Sequence, residues 1–136
     1  MTVIIATKQP SIKEFIELRE SIGWGETSPQ IAKTAIKNSL FHVTARRNNL
    51  LVGMARIVGD GAMFFYIQDL IVSPAFQGKG IGQLLMSNIE EYLADAAPSG
   101  ATVGLLSAKS KEDFYTHYGY TKRTGSSLGL GMCKFI

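Results

Sequence analysis

Cysteine is almost missing from this sequence: Cys133 is the one thiol among 136 residues, so no intrachain disulfide can form, and a reducing cytoplasm is the expected compartment. Histidine is nearly as scarce. His42 and His117 lack the paired spacing of a metal site, and no metal is expected. Charge of one sign is also thin, with 14 Lys and Arg against 11 Asp and Glu and a net charge of +3. Nucleic-acid binders carry a denser basic stripe, so no nucleic-acid partner is expected. No run of eighteen apolar residues occurs, and the opening MTVIIATKQP has neither the charged start nor the apolar run of an export signal. The expectation is a soluble chain that is not exported and has no membrane partner. Repeats, low-complexity tracts and linkers are absent too, which points to a single domain over residues 1–136.

What is present is a well-punctuated alternation of elements. A β-branched run over residues 2–7 predicts a first strand, ended by Pro10. Ser11 and Glu14 have capping-box spacing ahead of Ile12, Phe15, Ile16 and Ile22. Ser28-Pro29 opens a second helix with Ile31, Ala32, Ala35 and Ile36 on one face. Three strands of an antiparallel meander follow from Leu40 to Val72, turning at residues 46–49 and 59–61. The third is apolar on both faces, as in a central strand covered from both sides. Beyond a glycine-rich loop, Ile81, Leu84, Leu85, Ile89, Tyr92 and Leu93 mark the inner face of a helix, and residues 102–108 form the next strand. A strand, a helix and a strand in order make a right-handed crossover with its two strands parallel. A short helix over residues 112–118, opened by Ser110 and Asp113 at cap spacing, and two last strands at 120–123 and 131–136 complete the pattern.

The glycine-rich loop carries the chemistry. Gly78, Gly80 and Gly82 lie at alternate positions between an apolar strand and the first turn of an amphipathic helix. Without Cβ atoms, backbone N–H groups there can approach a bulky anion, and the helix start adds a positive dipole end. Lys79 can add a charge. The spacing fits neither the dinucleotide fingerprint G-x-G-x-x-G nor a nucleotide P-loop, where a Ser or Thr would follow the Gly-Lys pair. On glycine spacing alone, a flexible surface turn is the competing explanation.

The string Gln77-Gly78-Lys79-Gly80-Ile81-Gly82, read as Q-x-x-G-x-G and preceded by Leu70-Ile71-Val72-Ser73-Pro74, resembles the acetyl-CoA signature of the GNAT superfamily. Downstream, Phe114-Tyr115-Thr116-His117-Tyr118-Gly119-Tyr120 resembles that family's second signature, F-Y-x-x-x-G-F, with Tyr as its last residue. The close resemblance covers roughly residues 40–120. It implies an α/β GNAT fold: a mixed, mostly antiparallel central sheet of about six to seven strands, with a splayed parallel pair and four flanking helices. It also implies an acyltransferase that is an acetyl-CoA-dependent N-acetyltransferase. Leu70, Ile71 and Val72 would bind the pantetheine arm along the strand edge, and Gln77, Gly78, Lys79, Gly80, Ile81 and Gly82 would hold the pyrophosphate. A β-bulge near residues 68–70 would aim a backbone N–H at the thioester oxygen.

The reaction implied is direct attack of a neutral amine on the thioester, with no covalent enzyme intermediate. Tyr115 stands at the family position whose phenol protonates the leaving thiolate, beside the cofactor. Asp69 is the leading candidate for the base, by position, with a bulge-fixing carboxylate as its other role; Tyr66 and Gln68 could instead hold a relaying water. His42 and His117 are more often packed or surface histidines than bases. Cys133, in an apolar strand without a neighbouring histidine, is read as packing rather than as an acyl nucleophile. Trp24, flanked by Gly23 and Gly25 with Arg19 and Glu26 nearby, lies in the helical region that lines the acceptor pocket in this family; with Tyr66 it could contact the substrate, or it could be a core plug at a helix turn. The aromatics favour a small-molecule amine as acceptor. The rivals are a protein lysine or N-terminal acetyltransferase and a non-catalytic acetyl-CoA-binding regulator. The sequence leaves the assembly open, although homodimers are common among proteins resembling this one.

Overall fold

The structure, a computed structural model, describes residues 2–136, which divide into two compact units, one up to Leu105 and the other Leu106–Ile136. In the first unit β1 (Ile4–Ala6) leads to helices α1 (Ile12–Ser21) and α2 (Pro29–Lys37). The meander β2 (Phe41–Arg47), β3 (Leu50–Gly59) and β4 (Phe64–Val72) follows, and then α3 (Ile81–Ala96) and β5 (Thr102–Leu105). The helix starts form as their sequences dictate. Ser11 accepts from the Glu14 N–H at 3.1 Å while the Glu14 carboxylate accepts from the Ser11 N–H at 3.0 Å, a complete capping box. Ser28 caps α2 through the Ile31 N–H, with Pro29 in the first turn. Asn48 and Asn49 both adopt left-handed backbones, which the tight β2–β3 turn requires and asparagine tolerates.

The sheet runs in the order β1-β2-β3-β4-β5, antiparallel throughout except for the parallel pair β4–β5. It has five strands, not six to seven. The strand covered on both faces is β3 rather than β4: Leu51–Ala55 are all buried, whereas β4 alternates, with Phe65, Ile67, Asp69 and Ile71 inside, Phe64 exposed and the residues between them half-buried. The cause is position, because β3 is the middle strand of five. Leu51, Met54 and Ile71 pack with Phe15 and Leu18 of α1 and Ala32 and Ile36 of α2. At Gly53 an added Cβ would sit 3.1 Å from Leu85 Cδ1 and 3.2 Å from Ile81 Cγ2 of α3. Adjacent strand residues point to opposite faces, so α3 covers the face away from α1 and α2. Burial of each large side chain in these layers contributes roughly 1.5–3 kcal/mol. Two expected inward residues are exposed, Ile31 on α2 and Leu84 on α3, while Met86 is completely buried.

The second unit contains α4 (Glu112–Thr116) and an aromatic group around it. Ser110 does not cap this helix, because its left-handed backbone (φ +69°) is incompatible with the extended geometry of a cap residue. The strands expected at 120–123 and 131–136 are not formed. Residues 121–136 are exposed and irregular, interrupted by Gly125, Gly129 and Gly131 and tied locally by Arg123 Nε donating to the Gly129 carbonyl at 2.6 Å. Cys133 is accordingly exposed and not packed in a strand.

Candidate active site

Strand β4 pairs with β5 only from Phe64–Thr102 to Ile67–Leu105, yet it continues to Val72. Its last stretch, residues 68–72, therefore has no β5 partner, as a splayed pair requires. On the other edge the register with β3 steps from Arg56–Gln68 to Met54–Ile71. One residue of β3, Ala55, thus faces two of β4, Asp69 and Leu70, which is a β-bulge at the expected place. Asp69 makes the bulge with a left-handed backbone, φ +57°.

The Asp69 side chain is 1% exposed and all of its bonding is accounted for. Oδ1 accepts from Arg19 Nη1 and from Gln68 Nε2 at 3.2 Å, and Oδ2 accepts from Arg56 Nε at 2.7 Å. Arg56 reaches further, donating through Nη1 to Ser39 Oγ at 3.2 Å. Both guanidinium groups lie against the Phe15 ring, and that of Arg19 also lies 5.4 Å from the centre of the Trp24 ring. Three elements, α1, β3 and β4, thus converge on one carboxylate. Sequence reading placed Arg19 only beside Trp24 and missed Arg56 and the pairing of both arginines with Asp69. The available signal was a single charge in each of two neighbouring apolar strands, Arg56 and Asp69, since neither can be buried without a partner.

After Val72 the chain makes a turn of 3-10 helix, Pro74–Phe76, and enters the glycine loop. Gln77 turns its amide back to the Val72 carbonyl at 2.9 Å and closes the loop against the end of β4. Gly78 and Gly80 have left-handed backbones, φ +76° and +84°, and a Cβ at either would meet nothing within 4 Å. Gly80 begins α3 with no side-chain cap, and the first helical bond is that of the Leu84 N–H to the Gly80 carbonyl. The N–H groups before Leu84 are therefore unpaired within the helix and stand at its positive end. Open space at two glycines, bare amides and a sixteen-residue helix dipole suit a diphosphate. Lys79 is exposed beside them.

Of the remaining candidates, Trp24 is 38% exposed over Arg19. Tyr66 is half-buried on β4, between Val58 of β3 and Gly104 of β5. His42 is a packed histidine: its Nε2 bonds the Ile36 carbonyl at 2.9 Å, and burial lowers its pKa below the ordinary value. In the second unit Tyr115 stands edge-on to Phe114 and Tyr120, and burial raises its phenol above the usual pKa. His117 stands edge-on to Tyr118. Among the described residues no three His, Cys, Asp or Glu side chains converge as a metal site, and no helix is long and apolar enough to cross a membrane.

Comparison with known proteins fits this geometry. The family described as the acetyltransferase (GNAT) domain matches residues 13–131. The uncharacterized N-acetyltransferase ycf52 of Porphyra purpurea is 30% identical over 128 residues, covering 91% of this chain and 72% of the relative. A probable acetyltransferase of meticillin-resistant Staphylococcus aureus superposes with a TM-score of 0.88 at 27% identity, over 98% of this chain and all of the other. The same fold recurs, at 20% identity and a TM-score of 0.70, over 93% of this chain and 29% of the N-acetylglutamate synthase of Neisseria gonorrhoeae, solved with coenzyme A and L-arginine. With the bulged and splayed strand, the glycine loop and these relatives in agreement, the chain belongs to the GNAT family of N-acetyltransferases, acyltransferases that use acetyl-CoA.

Proposed function

We propose that the protein transfers the acetyl group of acetyl-CoA to the primary amine of a small metabolite by direct attack. The observation that carries the reading is the loop from Gln77 to Gly82, where uncapped amides and two left-handed glycines with open space above them meet the end of β4. Amides of this loop hold the diphosphate, with Lys79 adding charge. The free edge of Leu70, Ile71 and Val72 receives the pantetheine arm as a strand would be received, and the amide turned out by the bulge donates to the thioester oxygen.

In the reaction a C–N bond forms as the C–S bond breaks, so one proton must leave the amine and one must reach the thiolate. Tyr115 supplies the second from a phenol that is protonated at neutral pH already at the ordinary pKa of ~10. The first costs about 4–5 kcal/mol for an amine of pKa ~10.4. Asp69 was the positional choice for this step, but both of its oxygens are engaged by guanidinium groups. A water held by Tyr66 and Gln68 relays the proton from the amine to the solvent in this reading. Trp24 and Tyr66 contact the acceptor, and the exposed indole suits a compact amine.

The test is release of free thiol from acetyl-CoA with a panel of amines, amino acids, aminosugars and basic peptides. Turnover with a small amine is the expected result. Turnover confined to basic peptides would replace the metabolite with a protein acceptor, and acetyl-CoA binding without turnover on any acceptor would leave a binding protein.

A further inference from the structure

Asp69 combines features that rarely coincide: a left-handed backbone inside a strand, a side chain withdrawn from water, and two guanidinium partners drawn from different elements. An unpaired buried carboxylate would be strongly disfavoured, and a non-glycine residue in the left-handed region persists only when its surroundings over-determine it. Here the surroundings are Arg19 of α1 and Arg56 of β3. Each is itself held: Arg19 between the Phe15 and Trp24 rings, and Arg56 against Phe15 and by Ser39. Among the described residues Arg19 Nε is buried without a hydrogen-bond partner, so the bonds this guanidinium makes run through Nη1 to Asp69.

We propose that Arg19 and Arg56 are positioning residues for acetyl transfer: by clamping the Asp69 carboxylate from two sides they hold the β4 bulge in the geometry that presents its amide to the thioester oxygen. The proposal rests on the reading of the bulge given above. Neither arginine touches the reacting atoms; each acts through Asp69. Because Trp24 lies on the same guanidinium, the proposed acceptor wall and the bulge are joined through Arg19.

The clamp makes a prediction that general stabilisation does not. Coenzyme A carries the diphosphate and pantetheine but lacks the acetyl carbonyl, so loosening the bulge should spare its binding while weakening contact with the acetyl group. In Arg19→Met and Arg56→Met, kcat is expected to fall at least tenfold with the coenzyme A Kd within twofold of the parent, and the preference for acetyl-CoA over coenzyme A should shrink. Arg19→Lys and Arg56→Lys retain the charge without the planar fork and should restore kcat in part, which keeps the test alive if the Met variants fail to fold. Unchanged kcat in the folded variants would overturn the clamp, as would loss of kcat and coenzyme A affinity by the same factor. No coenzyme A binding by the unaltered protein would instead overturn the functional reading beneath it.

Discussion

Asp69 and Tyr115 are the two residues on which the chemistry divides. A base must be able to take a proton from the amine, and a carboxylate bound by two arginines and an amide in a buried position is already fully employed. Asp69→Asn should therefore lower activity evenly across pH without removing the acidic limb of the rate profile; loss of that limb alone would return Asp69 to the role of base. Asparagine also tolerates the left-handed backbone, so the variant isolates charge from conformation. Tyr115 is opposite in character, since its phenol is protonated at neutral pH and burial raises its pKa. The leaving thiol, with pKa ~8.5, needs modest help, and Tyr115→Phe should reduce turnover by about 10- to 100-fold while leaving acetyl-CoA affinity nearly intact. Steady-state kinetics set beside direct binding decide this.

At the scale of elements, the capping box of α1 is tied to the sheet by an ion pair. Arg46 Nη1 and Nη2 lie 2.6 and 2.8 Å from the two oxygens of Glu14, and this pairing lowers the Glu14 pKa to about 2. A carboxylate depressed in the folded state contributes stability that is full above its unfolded value of 4.5 and is lost as pH falls towards about 2. Both side chains are near one-third exposed, so the contribution is about 1 kcal/mol. Glu14→Gln keeps the backbone cap, and its stability difference from the parent, followed by denaturant titration, should vanish between pH 4.5 and 2. Gly53 is a second such point, where α3 rests on β3 so closely that an added methyl group would need Leu85 and Ile81 to give by a few tenths of an ångström. Gly53→Ala should push α3 outward at a cost of about 1–3 kcal/mol, seen as a fall of roughly 3–10 °C in Tm. These elements differ in how far the sequence revealed them. The caps of α1 and α2 and the asparagine turn were legible because they are local chemistry, whereas the Ser110 cap was not, because its left-handed backbone is set by the turn before α4. The clamp was not, because Arg19 and Asp69 lie fifty residues apart and no spacing rule joins them. The last two strands were misread because Met132, Phe135 and Ile136 have the composition of a strand, although all three are exposed in an irregular segment.

At the scale of the molecule, element order and the glycine loop were readable because the crossover from β4 through α3 to β5 has strong punctuation at every junction, from Pro74 to Gly100. Strand number was less readable, since hydrophobic composition does not say whether a segment finds a partner. Burial was likewise set by place in the sheet: β3 and β4 are similarly apolar, and of the two only β3, the middle strand, has a run of consecutive buried residues, Leu51–Ala55. The functional account rests on one consequence of this architecture, the bare helix start beside an unpartnered strand edge. Isothermal titration of acetyl-CoA into the protein and into a Gly78→Ala/Gly80→Ala variant tests it most directly. Neither methyl group has a neighbour within 4 Å to disturb, and the backbone strain is on the order of 1 kcal/mol per site, so the variant should stay folded. Saturable heat is expected with the parent and a loss of affinity of tenfold or more with the folded variant; no heat with the parent, or equal affinity in both, would remove the loop from cofactor binding.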